Sequence, residues 1–183
     1  MATHGASWSI TQKLIAPDGA AGHQFGTAVA VKGSWAVVGA PGTSAAYVYQ
    51  LNGATWTYRQ KLTPSLIEAG DLFGSAVAIV GDTMAIGAYG SMSYVGRVYM
   101  FKYNGTSWVQ SQVLSASDGA IYDFYGYSVG ISNGMMVVGA YGDDQISGSN
   151  FGSSYVYKFD GTQWIFHQKL QAPEGGSGEN FVM

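Results

Sequence analysis

The stretch FGTAVAVKGSWAVVGAPG, Phe25 to Gly42, decides how this chain is read. Apolar residues alternate over Gly26 to Val31 and continue from Trp35 to Ala40, with Lys32-Gly33 between them. That is the pattern of two strands joined by a tight turn. The stretch returns as FGSAVAIVGDTMAIGAYG from Phe73 and as YGYSVGISNGMMVVGAYG from Tyr125. A lone two-stranded hairpin is marginal in water. Three tandem copies therefore predict units that bury their faces against one another.

Working outward, the flanking segments repeat as well. WSITQKL at Trp8 recurs as WTYRQKL at Trp56, WVQSQVL at Trp108 and WIFHQKL at Trp164, at spacings of 48, 52 and 56 residues. Each closing Leu (14, 62, 114, 170) lies 11 residues before the Phe or Tyr at 25, 73, 125 and 181. The linkers between carry Pro17-Asp18-Gly19, Pro64-Ser65, Ser117-Asp118-Gly119 and Pro173-Glu174-Gly175, which is turn chemistry. A further strand holds an aromatic column, Tyr47, Tyr99 and Tyr155, then Tyr49, Phe101 and Tyr157. It ends at Asn52-Gly53, Asn104-Gly105 or Asp160-Gly161, again hairpin signals.

Each unit thus reads as four antiparallel strands, A to D, over about 50 residues. The fold class expected is all-β, built of β-propeller blades: three full blades plus a lone N-terminal D strand. The boundaries are 8–14 for the lone strand, 25–62, 73–114 and 125–170 for the blades, and 181–183 for the start of a next one. A β-solenoid is the structural runner-up, but its coils usually repeat every 20–30 residues or so. The segment between strands B and C grows from 4 to 8 to 12 residues, while the other connections keep their length. Insertions confined to one connection map to one face of a repeat protein, often a binding face. Strand reversal puts the B–C loops and the D–A linkers on that same face.

Composition narrows the function. Only 10% of residues are charged and 47% are hydrophobic, so a packed core is expected. Net charge is −3 with 8 Lys+Arg and no basic cluster, which argues against nucleic acid. There is no Cys, so disulfide and thiolate chemistry are excluded. No apolar run approaches the about 18 residues of a membrane helix, and no signal peptide opens the segment.

Phe25-Gly26 with Gly39-Ala40-Pro41, Phe73-Gly74 with Gly87-Ala88, and Tyr125-Gly126 with Gly139-Ala140 resemble FG-GAP repeats, as in the integrin alpha-subunit propeller. The wider pattern is most similar to the variant found in large bacterial and algal surface proteins. The resemblance implies an extracellular or cell-surface propeller engaged in adhesion or ligand binding, with a protein or glycan partner on a cell surface or matrix. In integrins it also implies calcium sites between strands A and B. Here that connection is VKGS, VGDT or SNGM, with Asp82 as its one carboxylate, so those sites are not carried over. Three blades are fewer than the about four that close a ring. A homo-oligomer, or a part of a longer chain, is therefore expected, because unpaired edges are sticky.

Two groups of residues are singled out as sites. Asp143 and Asp144 in the longest B–C loop, with Asp118 and Asp123 in the preceding linker, are four carboxylates on one expected face. Turn capping is the first reading of these residues and a calcium site the alternative; no cofactor is required. The ligand-face candidates are Tyr89, Tyr94, Tyr122 and Tyr141, placed in loops, whereas the strand columns of Tyr and Trp are expected to pack blades together. The column His23, Asp71, Asp123 and Glu179 is expected to accept backbone N–H groups within the linkers. His4, His23 and His167 occupy unrelated repeat positions, and no catalytic motif appears, so no enzyme is expected.

Overall fold

The computed structural model describes residues 9–66, 68, 70–143 and 152–171. Among them, twelve strands form three four-stranded antiparallel sheets. Blade 1 is β1 (Val29–Lys32), β2 (Trp35–Ala40), β3 (Ala45–Asn52) and β4 (Thr55–Leu62). Blade 2 is β5 (Ala76–Val80), β6 (Thr83–Ala88), β7 (Arg97–Tyr103) and β8 (Trp108–Leu114). Blade 3 is β9 (Tyr125–Ser132), β10 (Met135–Ala140), β11 (Ser153–Phe159) and β12 (Trp164–Gln171). In every sheet the strands lie side by side in chain order, as a propeller blade requires.

The A–B turns show how local chemistry sets register. Val80 pairs with Thr83 and Ser132 with Met135, leaving Gly81-Asp82 and Asn133-Gly134 as two-residue turns. In blade 1 Lys32 pairs with Trp35, so the turn is Gly33-Ser34, one residue later than the sequence suggests. The reason is backbone conformation. The first turn residue has φ of 58° at Gly33, 54° at Gly81 and 47° at Asn133, and Gly and Asn are the residues that tolerate it.

The core lies between the blades. Val37, Val48 and Leu62 of blade 1 meet Phe73, Ile86 and Phe101 of blade 2. Val98, Met100 and Leu114 of blade 2 meet Tyr125, Met136 and Tyr157 of blade 3. Tyr47, Tyr99 and Tyr155, the expected packing column, are all buried. The repeated Phe-Gly and Gly-Ala motifs are the contact between successive blades. A Cβ on Gly39 would strike the Gly74 carbonyl oxygen, and one on Gly87 would strike that of Gly126. Main chain meets main chain there, so only glycine fits.

A second repeated link runs along the D strands. The Gln12 side chain donates to the Trp56 carbonyl and accepts the Trp56 N–H, both at 2.8 Å. Gln60 does the same to Trp108 and Gln112 to Trp164, at 2.8–2.9 Å. Each amide satisfies two main-chain groups at the head of the next blade's outer strand, where the ladder is just starting. Gln168, fourth in the column, makes no such bond among the described residues.

The expected lone strand over 8–14 is not a strand across residues 9–14. In each blade a D strand pairs with its own strand C, and no such strand lies beside 9–14 among the described residues. The segment keeps its place through side chains instead: Leu14 packs under blade 1 and Gln12 makes its link. Trp8 and residues 181–183 lie outside the described residues.

Candidate functional site

The D–A linkers and B–C loops do share one face. The Gly90 N–H donates to the Asp71 carbonyl at 3.1 Å, and the Gly142 N–H to the Asp123 carbonyl at 3.2 Å. The linkers are braced internally by the column residues. Asp71 Oδ2 accepts the Glu68 N–H at 2.9 Å and Asp123 Oδ2 accepts the Ala120 N–H at 2.6 Å. In the first linker His23 Nδ1 accepts the Ala20 N–H at 3.3 Å. An imidazole nitrogen can replace a carboxylate here because only a lone pair is needed.

On this face the four expected tyrosines come together. Tyr94 and Tyr122 stack at 5.8 Å, and Phe124 and Tyr141 at 4.6 Å. Tyr94 and Phe124 are 5.5 Å apart, joining the two pairs. Tyr127 packs edge-on to Tyr141 at 4.5 Å, and Tyr89 lies 5.3 Å from Tyr127. Such contacts stabilise by about 0.5–1.5 kcal/mol each beyond area burial, so the rings hold one another in place. Tyr122 and Tyr127 remain 61% and 47% exposed, so their faces are open to a partner. Beside them lies a cleft of about 540 Å³, lined by Gln24, Thr27, Pro41, Leu72, Ser75, Tyr89 and Tyr127. Burial first, then the neighbouring tyrosines, pushes the Tyr89 and Tyr141 hydroxyls up, so both stay protonated at neutral pH.

Phe124 and Tyr127 were not singled out from the sequence, but aligning the repeats finds them. Phe124 stands where the other repeats have Gln24 and Leu72, Tyr127 where they have Thr27 and Ser75, and Tyr141 where they have Pro41 and Tyr89. The third repeat concentrates aromatics at positions that the first leaves without one.

The backbone marks the same place. Tyr122 has φ of 72° at a position filled by Gly22 (83°) and Gly70 (87°) in the earlier linkers. A left-handed conformation costs a residue with a Cβ roughly 1–2 kcal/mol. Tyr94, with φ of 70°, ends the turn Ser91–Tyr94, in which Met92 and Ser93 are also left-handed. That turn is tied to the third linker, where the Phe124 N–H donates to the Tyr94 carbonyl at 2.9 Å. Phe124 is left-handed too, but so are Gln24 and Leu72; that feature belongs to the repeat.

The expected calcium ligands behave differently. Asp118 and Asp143 are brought together around Tyr155 and Lys169. The Tyr155 O–H lies 2.8 Å from Asp118 Oδ1 and 2.5 Å from Asp143 Oδ2. Lys169 Nζ is 2.7 Å from Asp118 Oδ2 and 2.8 Å from Asp143 Oδ2. The positive charge these carboxylates face is therefore the protein's own ammonium. Burial raises the Asp118 carboxyl, but hydrogen bonds from Lys169 and Tyr155 outweigh it and hold it below the usual range. Asp123 braces its linker, and Asp144 lies outside the described residues. No group of three or more His, Asp or Glu is arranged for a metal among the described residues.

Blade 1 repeats this arrangement. Tyr47 donates to Asp18 Oδ1 at 2.7 Å and Lys61 to Asp18 Oδ2 at 2.5 Å. The hydrogen bond from Lys61, then that from Tyr47, draws Asp18 down to about 2. In blade 2 the acid and the lysine are both absent, replaced by Leu66 and Val113, and the Tyr99 O–H donates to the Leu66 carbonyl at 3.2 Å. Acid and lysine are kept together or lost together, the behaviour of a structural pair. That co-occurrence is the signal that would have found Lys169 in the sequence.

Four-stranded blades in chain order, joined where glycine main chains meet, define a β-propeller repeat protein. A family model for the FG-GAP repeat matches residues 8–52, 56–101 and 108–157, and the chain belongs to that family. No curated protein matches it in sequence. Among solved structures it is similar to a europium-containing methanol dehydrogenase, with a TM-score of 0.51 and 12% identity over 78% of this chain. The chain spans 24% of that protein. A likeness at that identity shows the fold alone. It is also similar to YjhT, with a TM-score of 0.47 and 15% identity over 85% of this chain and 54% of that one.

Proposed function

We propose that this chain is a non-catalytic binding and adhesion module of an extracellular surface protein. It recognises a protein or glycan of a cell surface or matrix through the face made by the B–C loops and D–A linkers. The observation that carries this reading is Tyr122, an exposed ring held in a left-handed conformation where the first two repeats use glycine. A strained residue persists when its surroundings over-determine it, and such residues cluster at binding sites. The reading requires no cofactor; a calcium ion at Asp118 and Asp143 would have to displace the Lys169 ammonium.

The test gives repeat 3 the residues of repeat 1: Tyr122→Gly, Phe124→Gln, Tyr127→Thr and Tyr141→Pro. All four occur naturally at those positions in blade 1, so the blade is expected to fold. Tyr122→Gly alone removes the left-handed cost and is expected to keep or raise the thermal midpoint. Beads coated with the fourfold variant should lose adhesion to immobilised matrix glycoproteins and cell-wall polysaccharides that the unaltered protein holds. Undiminished adhesion sinks the reading.

A second reading is a structural unit that assembles through open blade edges. Val29 and Val31 are 69% and 65% exposed, whereas their counterparts Val77 and Ile79 pack between blades, and the Gln168 amide is unlinked among the described residues. Native mass spectrometry should then show dimers or larger species that Val31→Lys dissolves. A monomer at every concentration excludes it.

A further inference from the structure

Eleven of the 13 tyrosines fall into two sets; of the others, Tyr157 accepts from Tyr125, and Tyr58, on the outer strand of blade 1, makes no hydroxyl hydrogen bond among the described residues. The hydroxyls of Tyr47, Tyr49, Tyr99, Tyr103, Tyr125 and Tyr155 all donate to protein acceptors. Those of Tyr89, Tyr94, Tyr122, Tyr127 and Tyr141 make no hydrogen bond among the described residues. The loop face thus combines open ring faces with five uncommitted O–H groups, each able to donate and accept.

The adjoining cleft has the same character. No charged side chain lines it among the described residues. Thr27 donates its proton to the Gln24 carbonyl at 2.8 Å and Ser75 to the Gly87 carbonyl at 3.2 Å, so both hydroxyls offer lone pairs inward. The Gln24 amide makes no bond among the described residues and offers both kinds of group. Glu68, which lies beside Tyr94 and Tyr122, faces Arg97 at 3.7 Å, and Asp71, next in the chain to Leu72, is buried. The cleft volume lies within the roughly 300–1,000 Å³ of small-molecule sites.

A ligand matching this surface is uncharged, has flat apolar C–H faces for the rings, and carries many groups that both donate and accept. A polyproline segment meets the first two conditions but offers only acceptors. An acidic or basic chain fails the first. We infer that the loop face binds a neutral oligosaccharide, with pyranose C–H faces on Tyr127 and Tyr122 and hydroxyls on the tyrosine O–H groups and the Gln24, Thr27 and Ser75 side chains. This inference rests on the binding-module reading and adds the chemical class of the ligand.

The experiment titrates the intact chain, by calorimetry and by aromatic proton signals, with neutral hexasaccharides of cello-, laminari-, malto- and manno- type. Hexagalacturonate and a proline-rich decapeptide are run beside them. At least one neutral hexasaccharide should bind saturably. Tyr127→Thr and Tyr122→Gly should each weaken it about tenfold, roughly the loss of one aromatic contact with its hydroxyl. Tyr58→Ser, on the outer strand of blade 1, should leave it unchanged. Both test variants carry residues native to other repeats, and retained circular dichroism checks their folding. If no neutral saccharide binds below about 10 mM, or if binding ignores Tyr127 and Tyr122, the inference is overturned. Binding of only the decapeptide or hexagalacturonate, lost in Tyr127→Thr, overturns the saccharide class and leaves the loop-face reading standing. Failure of every probe together with undiminished bead adhesion in the fourfold variant removes both.

Discussion

Gly87→Ala is expected to cost at least the roughly 1–3 kcal/mol typical of an overpacked core, and to lower the thermal midpoint by many degrees. The added Cβ would strike the carbonyl oxygen of Gly126 in the next blade. That atom belongs to main chain and cannot rotate away as a side chain could. Relief requires blades 2 and 3 to part, and their separation would loosen the buried contacts of Met100 and Leu114 with Tyr125 and Met136. Gly130→Ala is the matched control. A Cβ at Gly130 meets nothing within 4 Å, and the corresponding residues in the other repeats are Ala30 and Ala78. It should be neutral, or stabilise slightly by restricting the unfolded chain. Thermal unfolding of the two variants side by side checks both outcomes. Equal midpoints would show that the glycine contact does not hold the blades in register.

Lys169→Met should be the second most damaging change, at about 2–3 kcal/mol. It leaves Asp118 and Asp143 facing each other across Tyr155 without a cation, and Asp143 is buried. Removing one partner of a fully buried pair typically costs about 3–5 kcal/mol. Asp118 is half exposed, and solvent screening reduces the figure. Lys61→Met should cost far less, because Asp18 is half exposed and, among the described residues, Lys61 pairs with no second carboxylate. Blade 2 supplies the rescue: Lys169→Val with Asp118→Leu and Asp143→Ser gives blade 3 the counterparts Val113, Leu66 and Ser91. An ion cluster replaced by fitting apolar residues is often neutral or better, so the triple variant should recover most of the loss in urea unfolding. A triple variant as unstable as the single one would mean that charge is not what Lys169 contributes.

Much of this architecture is legible in the repeats. The four-strand unit, the inter-blade role of Tyr99 and Tyr155, and the shared face of linkers and B–C loops all follow from alternation, turn residues and constant spacings; Tyr47 is buried too, but within blade 1 and against the segment before it. The tyrosines at 89, 94, 122 and 141 were assignable to that face, because strand reversal alone carries them there. Less legible were relations between side chains distant in sequence. Lys169 reaches Asp118 and Asp143, 51 and 26 residues earlier, and its ammonium occupies the space where carboxylates alone suggested a metal. Gln12, Gln60 and Gln112 look like ordinary strand residues until the next blade's Trp lies beside them.

The division has a physical cause. Strand alternation and the left-handed residue of each A–B turn act over a few residues and recur in every copy, and the glycines where main chains touch, though a blade apart, stand at matching repeat positions. A linear pattern therefore carries them. The loop face is different, because it depends on how the blade 2 loop meets the linker that follows. There Tyr94 stacks on Tyr122 and lies 5.5 Å from Phe124, whose N–H donates to the Tyr94 carbonyl. Packing between blades decides it, so the sequence showed four tyrosines and the folded chain shows a single surface.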